Sequence, residues 1–151
     1  MKKILLIIGL LFSFSLAAIA QDSQTNREND VVRQVVQDYL GDNIELKQRT
    51  LSPDAKIIGV NSKSGKVTAT PFSKPRKTIK GAIEIHPTQR IVAVDVAPGA
   101  ATVKVESEFA PFSAGEKARR HFQYLSLLKL AGEWKIVSDL MPTEFEESAS
   151  K

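Results

Sequence analysis

The chain has 151 residues, with 21 Lys and Arg against 17 Asp and Glu, two His and no Cys. Without cysteine there is no thiol catalysis, disulfide, cysteine-ligated metal or lipid attachment, so an apolar core must supply the stability. The formal charge of +4 shrinks to 19 basic against 17 acidic residues once Lys2 and Lys3 are set aside, too even a balance to imply nucleic acid as a partner.

The first residues form one pattern. Met1-Lys2-Lys3 is a short basic start, and Ile4 to Leu16 is apolar apart from Gly9, Ser13 and Ser15. Ala18-Ile19-Ala20 then places small residues ahead of polar Gln21-Asp22-Ser23. This reads as a secretory signal peptide cleaved after Ala20, since the apolar run is short for a spanning helix of about 20 residues. The expectation is an exported protein, periplasmic or secreted, with no membrane span after signal removal. The remaining 131 residues are enough for one domain. Residues 21–29 read as a polar leader, 30–143 as the domain and 144–151 as an acidic tail expected to be disordered.

Asp30-Val-Val-Arg-Gln-Val-Val-Gln-Asp-Tyr-Leu-Gly41 repeats apolar pairs at helical spacing. Asp30 reads as its N-cap and Gly41 as its stop. Residues 43–51 fit a second short helix ending before Ser52-Pro53. Lys56–Val60 and Lys66–Thr70 read as strands joined through Asn61-Ser-Lys-Ser-Gly65. Residues 71–80 hold Pro71 and Pro75 and read as a loop or helical turn. Arg90–Val96 and Ala101–Phe109 alternate as strands around Ala97-Pro-Gly-Ala100. Val103, Val105, Ser107 and Phe109 share one face; Lys104, Glu106 and Glu108 share the other, expected to be wet.

The longest signal is a hairpin from His121 to Leu140 that turns at Ala131-Gly132-Glu133. Phe122, Tyr124, Ser126, Leu128 and Leu130 share one face of its first strand, and Trp134, Ile136, Ser138 and Leu140 one face of its second. By that alternation Asp139 faces away from Trp134 and Ile136. One helix followed by about six strands with hairpin-length links predicts an α+β fold: a mostly antiparallel sheet covered on one face by the N-terminal helix.

Chemistry is sparsely signalled. No Ser-His-Asp order, phosphate-cradling loop or paired carboxylates stand out, and two separated histidines, His86 and His121, make no metal site. Asp139 and His121 are the catalytic candidates, with Tyr124, Glu106 and Asp95 behind them. Lys74, Arg76, Lys77 and Lys80 form the densest positive cluster, with Lys117, Arg119 and Arg120 as further members. This is a patch for an anion or, on the plainer reading, a solvated loop.

Four blocks carry a family resemblance: Val36-Gln-Asp-Tyr-Leu-Gly-Asp42, Leu51-Ser-Pro-Asp-Ala-Lys-Ile57, Arg90 to Glu106, and the closing hairpin. On these the chain resembles the putative lumazine-binding family of the nuclear transport factor 2-like superfamily, whose cone-shaped α+β fold is shared with polyketide cyclases and ketosteroid isomerase. Gln123 stands where the family pattern has Asp, Ser138-Asp139 where Asn-Lys is usual, and Ser52 in place of a common His.

The resemblance implies a strongly curved sheet enclosing an apolar pocket. Its lining would be Val35, Tyr39, Phe72, Phe109, Phe122, Tyr124, Leu128, Trp134 and Ile136. The expected function is binding of a small apolar or aromatic molecule, a flavin precursor among them, with no cofactor and no assured catalysis. One alternative is an isomerase or dehydratase acting on a small cyclic carbonyl compound, with Asp139 or His121 as general base. The other is a structural module whose open sheet face pairs two copies as a homodimer.

Overall fold

The computed structural model describes residues 25–61, 64–73, 87–111, 117–142 and 146–147. The segment expected to be a signal peptide, the Lys74–Lys80 cluster and His86 lie outside the described residues.

Helix α1 runs over residues 25–40. Asp30 is therefore inside the helix and not its cap. Glu28 is part of the reason the helix reaches further back, because its carboxylate binds Lys129 and Trp134 on the sheet. Val32, Val36 and Tyr39 are buried, with half-buried Val35 and Leu40 beside them: an apolar stripe at i, i+3, i+4 spacing. Gly41 ends the helix, its N–H donating to the Gln37 carbonyl.

Helix α2 (Ile44–Thr50) starts at Asn43, whose side chain accepts from the Glu45 and Leu46 amides at 3.0 and 3.1 Å. Such a cap stabilises a short helix by about 1 kcal/mol. Glu45 in its first turn and Lys47 and Arg49 in its last complement the helix dipole. Lys135 Nζ also donates to the Arg49 carbonyl at 2.7 Å, tying the helix end to the sheet.

Among the described residues seven strands follow: β1 (Leu51–Val60), β2 (Val67–Pro71), β3 (Thr88–Ala97), β4 (Ala100–Phe109), β5 (Arg119–Leu130), β6 (Glu133–Pro142) and β7 (Glu146–Glu147). They form one sheet in the order β2-β1-β6-β5-β4-β3, with β7 also on β5. All pairs are antiparallel except β1 with β6. Strand β1 starts directly after α2, five residues before the start expected from alternation. Pro53 lies where its register against β6 shifts, the place a sheet tolerates proline. Glu146 and Glu147, expected to be disordered, pair with Arg120 and Arg119 instead.

The tight turns follow local chemistry. Ala131 and Gly132 sit at φ 51° and 88°, the doubly left-handed geometry of a two-residue hairpin turn. Pro98 is followed by Gly99 at φ 80°, the pairing a type II turn requires.

The face covered by α1, the inner face, holds the core. Ala101, Val103 and Val105 of β4, Leu125 and Leu127 of β5, and Trp134 and Ile136 of β6 pack against Val32, Val36 and Tyr39. Each fully buried large side chain here contributes about 1.5–3 kcal/mol. The outer face carries Lys104, Phe122 and Tyr124, with the Lys104 ammonium 4.1 and 5.7 Å from the two ring centroids. Glu106 is also on this face but is not wet. It is 4% exposed, paired by Arg90 and by Arg120 Nε at 3.5 Å, because long arginines from both neighbouring strands fold over a carboxylate set between them.

Candidate functional site

The inner face is apolar along most of its length and polar at one end. That end lies under the C-terminal turn of α1. Tyr39 Oη donates to Asp139 Oδ2 at 2.9 Å, and the Phe72 ring meets the Tyr39 ring edge-on at a centroid distance of 5.9 Å. The Lys47 ammonium lies 5.5 Å from the other aromatic partner of the cluster, the Tyr39 ring itself. Asp139 is 2% exposed. A carboxyl so far from water persists only where polar partners meet it, and a tyrosine hydroxyl is such a partner.

Asp139 reaches this position through a bulge. Ile136 pairs with Leu127 and Ser138 with Ser126, leaving Val137 as an extra residue on β6. Simple alternation turns Asp139 away from Trp134 and Ile136. The bulge resets the pleat, so all three lie on the inner face. Asp139 is thus a buried carboxylate on the same face as Trp134 and Ile136, and not turned away from them.

Two strands over, the polar band continues. In register Gln89 lies opposite Ser107 and Ser107 opposite His121. Gln89 Nε2 donates to Ser107 Oγ at 3.1 Å. Ser107 and Gln123 are buried, and Gln123 stands between His121 and Leu125 on the same side of β5. His121 is half-buried, and burial holds its imidazole below the ordinary value of 6.5, because removal from water disfavours the cation.

At the opposite end of α1, about 16 Å along the helix at 1.5 Å per residue, Glu28 joins three elements. Its carboxylate accepts from Lys129 Nζ at 2.6 Å and from Trp134 Nε1 at 2.5 Å. Those two bonds, Lys129 first, hold the Glu28 carboxyl below the usual value of 4.5. Two clefts flank this cluster and share Glu28, Lys129 and Trp134 as a wall. One, of about 660 Å³, extends to the β3–β4 turn at Val96 to Gly99. The other, of about 520 Å³, runs between the two helices past Val31, Val35 and Leu46. Both lie away from Asp139.

The expected pocket residues divide between the two faces. Val35, Tyr39, Phe72, Trp134 and Ile136 belong to the core side, and Phe109 continues the inner row of Val103, Val105 and Ser107. Phe122, Tyr124 and Leu128 lie on the other side of β5 from buried Leu125 and Leu127, with Tyr124 and Leu128 each 41% exposed. Alternation groups those three correctly, but both faces of β5 are apolar enough to be the core, so it does not choose between them. Of the catalytic candidates, Asp139 and His121 come to the inner face; Asp95 is exposed opposite Thr102. Ser107 and Gln89 carry no sequence signal as a site, and Tyr39 and Asp139, each singled out in the sequence, carry none that they pair. The one available cue is polar residues interrupting the apolar rows of two neighbouring strands. Among the described residues no three His, Asp or Glu side chains gather as a metal site.

Comparison with known proteins gives consistent results. A family model described as putative lumazine-binding matches residues 27–140. A nuclear transport factor 2-like protein of unknown function from Shewanella baltica is similar at 21% identity and a TM-score of 0.59, over 81% of this chain and 96% of that one. One from Silicibacter pomeroyi is similar at 18% identity and a TM-score of 0.53, over 81% and 98%. A third, from Methylobacillus flagellatus, matches at 18% identity and 0.52, over 80% and 93%. No curated protein matches the chain. At these identities the solved structures establish the fold alone, an α+β cone shared with those nuclear transport factor 2-like proteins.

Proposed function

The chain belongs to the putative lumazine-binding family, and we propose that it is an exported protein binding a small, largely apolar ring compound on the inner face of its sheet. One observation carries the binding reading: where α1 meets the inner face, a cleft of about 520 Å³ runs between the two helices, walled by Val31, Val35, Leu46 and Trp134 with Glu28 and Lys129 as fixed polar groups. Apolar walls with a few fixed polar groups are the usual makeup of a small-molecule site. The family name offers lumazine, a flat bicyclic compound, as the first ligand to try.

Export rests on the sequence alone, through the basic start, the Ile4–Leu16 run and the Ala18-Ile19-Ala20 triplet. Among the described residues no helix is long and apolar enough to cross a membrane.

Native mass spectrometry of the protein purified from its producing cell tests both parts. The expected species starts at Gln21 and carries a small molecule released on denaturation. A species retaining residues 1–20 overturns export. A ligand-free mass, with no mass shift on adding lumazine, overturns binding.

A second reading is favoured by Asp139 itself. A buried carboxylate beside a tyrosine hydroxyl is suited to removing a proton next to the carbonyl of a cyclic compound. In that reading Asp139 is the base and Tyr39 positions it. Proton exchange into a small cyclic ketone, followed by NMR in D2O, is expected with the wild type and not with Asp139→Asn. Exposed Tyr124 and Leu128 favour a further feature, pairing of two copies through the outer face. Sedimentation velocity is expected to show a dimer that Tyr124→Glu dissociates.

A further inference from the structure

A third cleft, of about 540 Å³, lies on the other flank of α1, between that helix and the start of β3. Arg33, Gln37 and Leu40 line it from the helix, and Pro87, Arg90 and Ile91 from the sheet edge. The i, i+4, i+7 spacing of the first three sets them in one stripe beside the buried row of Val32, Val36 and Tyr39. Its charge is one-sided. Glu28 and Asp38 of α1 line the cleft between the helices, whereas no Asp or Glu is among the described residues lining this one. Arg33 is exposed. Arg90 and Arg120 share a single carboxylate, that of Glu106, so their cluster keeps one positive charge, and the Arg90 side chain is 70% exposed. The rest of the wall is largely apolar, with half-buried Leu40 and Ile91 packed against the core.

A cleft of this volume is on the scale of a small-molecule site. Two guanidiniums beside apolar side chains suit an anion attached to a hydrocarbon body, and the guanidinium fork matches the two oxygens of a carboxylate. The C-terminal end of α1 works against an anion, since its carbonyls carry partial negative charge. At an exposed helix end that effect costs about 2- to 5-fold in affinity. One charge-assisted hydrogen bond supplies about 10-fold or more, so the arginines decide the sign. We propose that the α1–β3 cleft binds a small organic carboxylate, with Arg33 and Arg90 on its oxygens and Leu40, Pro87 and Ile91 against its hydrocarbon part. This site is separate from the cleft between the helices and does not depend on the ring-compound reading.

The test uses 2-naphthoate, its neutral isostere 2-naphthamide, and inorganic phosphate, an anion with no apolar body. Binding to the full-length mature protein is measured by calorimetry in about 0.15 M salt, where charges more than about 8 Å apart are largely screened. The wild type is expected to bind 2-naphthoate about 10-fold or more tighter than either other probe. Arg33→Gln is expected to lose about 10-fold for 2-naphthoate and nothing for 2-naphthamide. Arg33→Lys, which keeps the charge without the fork, is expected to fall between. Lys66→Gln removes the same charge from an exposed position beside β2, at the opposite edge of the sheet, and is expected to change nothing. Should Arg33→Gln lower the thermal midpoint, Gln37→Glu gives the same readout by placing a competing carboxylate one turn from Arg33. No binding of 2-naphthoate, equal binding of acid and amide, an equal loss in Lys66→Gln, or binding that survives both cleft variants overturns the proposal. Phosphate bound as tightly as 2-naphthoate overturns the organic carboxylate in favour of a bare oxyanion. Each of these results leaves the ring-compound reading as it stands.

Discussion

The hydroxyl of Tyr39 and the carboxylate of Asp139 meet at 2.9 Å although 100 positions separate them in the chain. This contact joins the last turn of α1 to the middle of β6, and both residues are buried. Tyr39→Phe keeps the ring and its edge contact with Phe72 but deprives a buried carboxyl of a donor. The expected cost is about 1–3 kcal/mol of unfolding free energy, read from urea denaturation. In a double-mutant cycle with Asp139→Asn the two changes are expected to couple by at least about 0.5 kcal/mol. Strict additivity would mean that the contact contributes nothing to stability.

A pH-dependent latch is expected at the other end of the helix. Glu28 is held below 4.5 by Lys129 and then Trp134, so its folded-state value lies under its unfolded one. Its stabilisation is therefore present above about pH 4.5 and is lost as pH falls through the lower, folded-state value. The protein has a single tryptophan, and its indole N–H is one of the two donors, so Trp134 emission reports the latch directly. Acid titration is expected to shift that emission below pH 4.5 in the wild type. Glu28→Gln is expected to abolish the transition and to cost about 1 kcal/mol at neutral pH, since the pair is partly solvated. An identical titration in Glu28→Gln would show that another group is responsible.

His121 gives the opposite half of the pH profile. Its folded-state value is depressed by burial, so below pH 6.5 the unfolded chain binds a proton that the folded chain refuses. Stability therefore falls as pH drops from about 6.5 toward the folded-state value and levels off beneath it. Urea midpoints measured from pH 8 to pH 5 are expected to decline with a steeper slope in the wild type than in His121→Gln. Equal slopes would place the imidazole in contact with solvent.

These contacts show where sequence reading succeeds and where it stops. The α1 stripe, the strands from β3 to β6 and their turns are visible because each is set by local period and turn chemistry. The start of α1 is not, since residues 25–29 are held partly by a partner about 100 positions away. The facing of β5 is undecided by its own residues, because Phe122, Tyr124 and Leu128 compete with Gln123, Leu125 and Leu127 for the core. The outcome depends on which side α1 covers. Glu106 looks like any charge on a wet face until arginines from two other strands close over it. Asp139 is misplaced by alternation for a single reason, a bulge that no residue type in Ile136-Val137-Ser138 announces.

That bulge supplies the last prediction. With Val137 present, Ser138 still pairs with Ser126 and Asp139 with Leu125, so Val137 is the residue the ladder skips. Deleting it should leave every later residue of β6 opposite the same partner and on the same face. The strand would lose only the extra local twist that a bulge introduces. The shortened protein is therefore expected to fold and to retain the Tyr39–Asp139 coupling. Inserting one alanine between Ser138 and Asp139 does the reverse. It either turns Asp139 outward and Leu140 inward or forces a second irregularity beside the first. The insertion variant is expected to lose the coupling and at least about 3 kcal/mol of stability, because a core position then receives the wrong face of the strand. Urea denaturation of both variants, each with and without Tyr39→Phe, separates the two cases. A deletion variant without the coupling would show that the twist at Val137, and not the count of residues, brings Asp139 to Tyr39.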